Sequence, residues 1–145
     1  MVKQHPLREL HISIGARMGV FAGWETPISY TSVIDEHLAV RNSAGVFDLT
    51  HMGRIRIRGQ GATELLDKLV PKKITKTQTN TMPGPTALLN GDAGFIDDIM
   101  PYRLGDDEWL LAVNASNTER DIEWIRAWRD RLGYKNVEII DETLS

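Results

Sequence analysis

TALLNGDAGFIDDIMPYRLGDDEWLLAVN, Thr86–Asn114, decides the fold. Three β-prone runs, at about Thr86–Asn90, Gly94–Leu104 and Glu108–Asn114, are separated by Gly91-Asp92 and Gly105-Asp106, which supply turn chemistry. They pair as an antiparallel meander. Just upstream, from Met52, Ile55 and Ile57 alternate with Arg54, Arg56 and Arg58, the period of a strand with one wet face. Ala62, Leu65, Leu66 and Leu69 then mark the apolar stripe of a helix that stops before Pro71, and the polar stretch 72–85 reads as a surface loop. Downstream, Ser116 with Glu119 has the form of a capping box. It opens a helix with Ile122, Ile125, Trp128 and Leu132 inward, ended by Gly133 and followed by a strand at Val137–Ile140. From Met52 the order is strand, helix, three strands, helix, strand. That is an α+β fold, an antiparallel sheet with helices on one side in a ferredoxin-like, split βαβ arrangement.

The first 51 residues read differently. A short helical stretch around Leu7–Ile14 leads into a Gly-rich extended segment, Met18–Tyr30, and then into a helix capped by Thr31 or Ser32. Val33, Leu38 and Val40 form the apolar side of that helix, and Gly45 suits a left-handed C-terminal residue. The expected organisation is therefore an N-terminal segment, 1–51, followed by the α+β body, 52–145.

Composition narrows the function classes without choosing one. With 145 residues, 41% hydrophobic and 26% charged, the chain has ordinary globular usage and can bury a real core. Its 17 basic and 20 acidic residues are dispersed, without the clustered positive charge a nucleic-acid surface needs. The absence of cysteine excludes disulfides, thiolate metal clusters and thiol nucleophiles, which fits a reducing compartment, with the cytoplasm as the expectation. MVKQHPLREL lacks the pattern of a secretory signal. Gly15, Gly19 and Gly23 have the spacing of a packed membrane helix, but Arg17, Trp24 and Glu25 interrupt any apolar span of the required about 20 residues. His5, His11, His37 and His51 show no HxH or HxxxH spacing, so no metal site is expected.

Strand alternation through Gly94–Leu104 puts Ile96, Asp98, Met100, Tyr102 and Leu104 on one face and Phe95, Asp97, Ile99, Pro101 and Arg103 on the other. Asp98 thus shares a mostly apolar face, where a carboxylate needs hydrogen-bond partners or a raised pKa, while Asp97 can point to a more polar side. Leu110, Ala112 and Asn114 share a face of the next strand, with Asn114 at its end as both donor and acceptor. Two readings stand side by side. Asp98 and Asn114 carry chemistry, or Asp98 is a structural carboxylate bonded to backbone amides and Asn114 caps the following helix. Likewise, Arg54, Arg56 and Arg58 either clamp carboxylates of a ligand or form a solvated face.

Four blocks, FAGWETP (Phe21–Pro27), EHLAVRNSAGVFDLTHMG (Glu36–Gly53), GFIDDIMPYRL (Gly94–Leu104) and LAVNASNTERDIEW (Leu111–Trp124), stand in order along nearly the whole chain. Together they resemble the glycine-cleavage T-protein aminomethyltransferases. The resemblance implies a tetrahydrofolate-dependent reaction: the aminomethyl group on the lipoyl arm of H-protein loses ammonia, and its carbon becomes methylene-tetrahydrofolate. It implies that Asp98, matching the second of the family's paired aspartates, is the catalytic residue and contacts the folate near the reacting nitrogens. Met52 and Asn114 match residues lining the folate pocket, and Met100 follows Asp98 on its face. Residues 1–51 would be the incomplete start of the first folate-binding subdomain and 52–145 a folate-binding subdomain. The family continues beyond IIDETLS into a remaining folate-binding portion and a C-terminal β-barrel, so a C-terminal T-protein half, or self-association, is an expected partnership. A non-catalytic folate-binding module and a folate-dependent demethylase of a small N- or S-methyl substrate are the alternatives.

Overall fold

In the computed structural model, which describes residues 1–144, the chain falls into two units, Met1–His51 and Met52–Ser145. The first unit carries β1 (Lys3–Gln4), α1 (Arg8–Ser13), β2 (Arg17–Phe21), β3 (Trp24–Ser29) and α2 (Val33–Asn42). The Gly-rich extended segment is a hairpin: β2 and β3 pair antiparallel, and β1 adds to β3 in parallel. Its turn runs through Ala22 (φ 50°) and Gly23 (φ 81°), left-handed geometry that glycine adopts without steric cost. Ser32 caps α2 by accepting the Asp35 N–H at 3.1 Å. Two expectations for this helix are corrected. It ends at Asn42 with Ser43 as its C-cap, so Gly45 does not supply a left-handed terminus. Val33, Leu38 and Val40 are exposed, and α2 buries none of its residues.

The second unit runs β4 (Gly53–Arg58), α3 (Ala62–Leu69), β5 (Thr86–Leu89), β6 (Phe95–Gly105), β7 (Glu108–Val113), α4 (Thr118–Leu132) and β8 (Glu138–Asp141). The sheet order is β5-β6-β7-β4-β8, antiparallel throughout. The order β6-β7-β4-β8 is that of a split βαβ unit, with β5 added at the edge. Both helices pack on one face, α3 against β7 and α4 against β4 and β8. Under them lie the fully buried Ile55, Ile57, Leu65, Leu66, Trp109, Leu111 and Ile125. Each such side chain stabilises the fold by about 1.5–3 kcal/mol relative to exposure.

Register fixes which residues share a face. Residues directly opposite in an antiparallel ladder point the same way. Ile55 opposite Leu111, and Leu111 opposite Pro101, lie on the helix-covered side, whereas Arg54, Ala112 and Met100 form a row on the open side. The arginines on that open side meet the chain's own acids. Arg56 binds Glu142 through Nε at 2.6 Å and Nη2 at 2.9 Å and reaches Glu108 at 2.5 Å, and Arg58 pairs with Glu138 at 2.8 Å. Arg54 donates to the backbone carbonyls of Glu142 and Thr143.

Two helix starts are set from a distance. Gly61, the N-cap of α3, has no side chain to offer, and Asp107 accepts the Gly61 N–H at 3.1 Å and the Thr63 N–H at 3.2 Å instead. Helix α4 starts at Thr118 with Asn117 as N-cap rather than Ser116, and Asn117 makes no side-chain bond to the helix. Its amide is engaged by Asp97. At the far end, Gly133 (φ 79°) closes α4 in the left-handed conformation. Ile122 and Ile125 are buried as expected, but Leu132 is exposed and Asp121 is fully buried.

Candidate functional site

The paired aspartates of β6 take opposite sides of the sheet. Asp97 continues the row of Ile99 and Pro101 and is 4% exposed, whereas Asp98 lies on the open face with Met100. The face memberships read from alternation hold, but the burial expected of them is reversed: Asp97 is the enclosed carboxylate and Asp98 the accessible one. Both faces of β6 carry apolar residues, so alternation alone does not reveal which side the helices cover.

Asn114, immediately after β7, ties the two acids together. Its backbone N–H donates to Asp97 Oδ2 at 2.9 Å, and its Nδ2 donates to Asp97 Oδ1 at 2.9 Å and to Asp98 Oδ1 at 2.9 Å. The same Nδ2 lies 3.3 Å from the Asp98 carbonyl oxygen. An amide turned the other way would place its oxygen against two carboxylates, so charge fixes its orientation. Asn117 Nδ2 adds a third donor to Asp97 at 2.5 Å. Burial pushes the Asp97 carboxyl up, but these amides outweigh it and hold the group below the usual aspartate value. Asp97 is therefore the anchored anion, and through Asn114 it presents Asp98 in one orientation.

Met52 and Met100 belong to the same surface. Gly53 pairs with Val113, so Met52 directly precedes and Asn114 directly follows the last pair of that ladder; Met100 pairs with Ala112, two residues before Asn114. Met52 is half-buried and Met100 exposed. Asp98 and Met100 on β6 and Asn114 just after β7 thus share one end of the open face, and Met52 immediately precedes β4, the strand beside β7. What this arrangement can offer a ligand is an ordered carboxylate acceptor beside two thioether side chains, suited to a flat heterocycle with N–H donors.

Sequence reasoning missed three features. Asp121, in the first turn of α4, faces Asp97 with its carboxyl buried. In the first unit, His5, His11 and Asp48 converge, their ligand-type atoms all within 4.8 Å of one another. His11 Nε2 is 2.8 Å from Asp48 Oδ2 and His5 Nε2 is 3.2 Å from Oδ1. Tyr30 Oη meets His11 Nδ1 at 2.7 Å, and the Leu7 N–H donates to His5 Nδ1 at 3.2 Å. His5 Nε2 is buried and makes no hydrogen bond among the described residues. His11 and Thr50 are the hydrogen-bond partners of Asp48. Burial raises that carboxyl, yet the Thr50 and His11 bonds prevail and lower it to about 2. Spacing could not show this convergence, because Asp48 lies 37 residues from His11. The third feature is an apolar cleft of about 690 Å³ in the first unit, lined by Phe21, Ile28, Val40, Val46 and Phe47 among others. No motif marks it.

The GCVT N-terminal domain family matches residues 7–145. A probable aminomethyltransferase of Aeropyrum pernix is 46% identical over 140 residues, which cover 97% of this chain and 37% of that protein. An aminomethyltransferase of Symbiobacterium thermophilum is 43% identical over 143 residues, 98% of this chain and 38% of that protein. The crystal structure of the glycine cleavage system aminomethyltransferase T from Bartonella henselae superposes with a TM-score of 0.91 at 33% identity, covering 99% of this chain and 39% of that one. The chain spans under two-fifths of the length of these relatives. It belongs to the GCVT N-terminal domain family and corresponds to the N-terminal portion of a glycine-cleavage T-protein aminomethyltransferase.

Proposed function

We propose that this chain supplies the Asp98 part of a tetrahydrofolate-dependent aminomethyl transfer, in which the carbon carried on the lipoyl sulfur of H-protein becomes methylene-tetrahydrofolate as its C–N bond breaks to release ammonia and its C–S bond breaks to return the lipoyl thiol. In this reading a C-terminal T-protein portion completes the folate-binding region. The observation that carries it is the Asn114 clamp, which holds an accessible carboxylate at 2.9 Å in a single orientation beside Met52 and Met100. Tetrahydrofolate supplies the nucleophilic nitrogen. Asp98 accepts hydrogen bonds from the ligand's N–H groups and offers fixed negative charge where positive charge develops. Asn114 keeps that carboxylate aimed, and the two methionines give apolar contact.

The test is an assay of the chain, alone and with a T-protein C-terminal portion, for ammonia and methylene-tetrahydrofolate formed from aminomethylated H-protein. Asp98→Asn keeps the shape but removes the charge, and a rate loss of about 100-fold or more is expected. Undiminished transfer in that variant sinks the assignment. Sarcosine and a sulfonium donor serve as competing substrates, and preference for either moves the reaction to a demethylase. A second reading is a folate-binding module without turnover. Calorimetric titration with tetrahydrofolate separates them: binding with no transfer in either format supports the module.

A further inference from the structure

Asp121 presents a conflict that the fold must resolve. Its side chain is fully buried, 0% exposed, and neither carboxyl oxygen finds a donor among the described residues. The group it faces is the carboxyl of Asp97, close enough for a side-chain hydrogen bond. Two ionised carboxylates in that contact, one of them without a donor, are not tenable in a buried setting. One proton between them turns the repulsion into a hydrogen bond. Asp97 already receives three N–H donors, from Asn114 N, Asn114 Nδ2 and Asn117 Nδ2, so it is the anion, and the proton resides on Asp121. Arg120 and the positive end of α4 favour charge on Asp121, but neither donates to its oxygens. Burial above all, then the Asp97 carboxylate, raise Asp121 to about 8.

We propose that Asp121 is a positioning residue: it shares one proton with Asp97, and this carboxyl pair sets the Asn114 amide and, through it, the orientation of the exposed Asp98 carboxylate. The chain of contacts is continuous, from Asp121 to Asp97 to Asn114 Nδ2 to Asp98 Oδ1. This rests on the reading of Asp98 as the folate-contacting group. It adds a second layer beneath that group, drawn from α4, that never touches the ligand. When the pair loses its proton, Asp97 must answer to a charged neighbour, and the amide that serves both aspartates loses its fixed seat.

The experiment uses the whole chain with labelled aspartate and asparagine side chains, titrated by NMR from about pH 5 to about pH 10, a range chosen around the ordinary and raised carboxyl values. One buried carboxyl is expected to remain protonated at neutral pH and to titrate in the alkaline range, with the Asn114 side-chain amide signals moving at the same midpoint. Asp121→Asn, which donates but cannot titrate, is expected to abolish both transitions. Tetrahydrofolate affinity in Asp121→Ala is expected to fall about tenfold, the loss of one aligned contact, with Asp121→Asn recovering most of it. No protonated carboxyl at neutral pH, or Asn114 signals indifferent to its titration, overturns the inference, and neither readout needs folate or the alanine variant. If Asp98→Asn weakens folate binding while Asp121→Ala does not, the positioning role is wrong and the Asp98 reading stands. If neither weakens it, the Asp98 reading fails, and positioning for folate fails with it.

Discussion

Asn114→Asp is the sharpest probe of the site, because it changes one atom and almost no volume. The replacement puts an acceptor oxygen where Nδ2 now lies 2.9 Å from Asp97 Oδ1 and from Asp98 Oδ1. Against the enclosed Asp97 alone, the lost charge-assisted bond costs about 1.5–3 kcal/mol. Like charges about 4 Å apart at an effective dielectric near 20 add repulsion of roughly 4 kcal/mol. The variant has one escape, which is to protonate the new carboxyl and donate to Asp97 again. At pH 7 that route costs about 4 kcal/mol, and at pH 5 about 1.5 kcal/mol, from an ordinary carboxyl value near 3.9 at about 1.4 kcal/mol per pH unit. The escape therefore caps the penalty. The new carboxyl's folded pKa is raised above its unfolded value, so the destabilisation is absent below about pH 4 and grows as pH rises. Urea unfolding followed by tryptophan fluorescence should show a loss of roughly 3–4 kcal/mol at pH 7, shrinking to about 1.5 kcal/mol or less at pH 5, with the m-value unchanged. A loss below about 0.5 kcal/mol at pH 7, the range of neutral surface changes, or one that does not depend on pH, refutes the bridging role of Asn114.

Other substitutions test the frame around the site. Asp107→Ala removes both acceptors at the start of α3 and should cost about 2 kcal/mol in denaturant unfolding at pH 7. Burial pushes Asp107 up, but the Gly61 and Thr63 amides hold it below the usual value. Its contribution is thus present above the unfolded value and lost as pH falls, and the gap between variant and wild type should close below about pH 4. Gly53→Ala drives a Cβ into the side chains of Thr118 and Val113. An overpacking loss of about 1–3 kcal/mol is expected, measurable as a lower urea midpoint.

The α+β order of the second unit was legible because its signals were local. Alternation marked β4, the Leu65, Leu66 and Leu69 stripe marked α3, and the two Gly-Asp pairs marked the turns of the meander. Register-dependent facts were less accessible. Which side of β6 the helices cover is decided by the pairing of Pro101 with Leu111 and of Leu111 with Ile55, not by the composition of either face. That is why Asp97 and Asp98 were assigned to the wrong environments. Asp121 is illegible for a related reason: a charged residue in the first turn of a helix ordinarily faces water, and its burial beside Asp97 depends on tertiary packing. The Asn117 cap was hidden by Ser116 and Glu119, whose spacing satisfies the local rule while the asparagine amide is taken by a strand. The arginine row is ambiguous in sequence because its partners Glu138 and Glu142 lie 80 and 86 residues away, beyond any local pattern.

Strand β4 sits between β7 and β8, and its register joins Ile57 to Trp109 on one side and to Ile139 on the other. Both neighbours are synthesised after β4. While the ribosome is still delivering the residues after Arg58, the nascent strand presents two unsatisfied hydrogen-bonding edges, and one persists until Glu138–Asp141 has emerged. Assembly of this sheet is thus governed by distant partners, which makes it slow and leaves its intermediates open to pairing with other chains. Until β8 has been made, the free side of β4 has no partner within its own sheet.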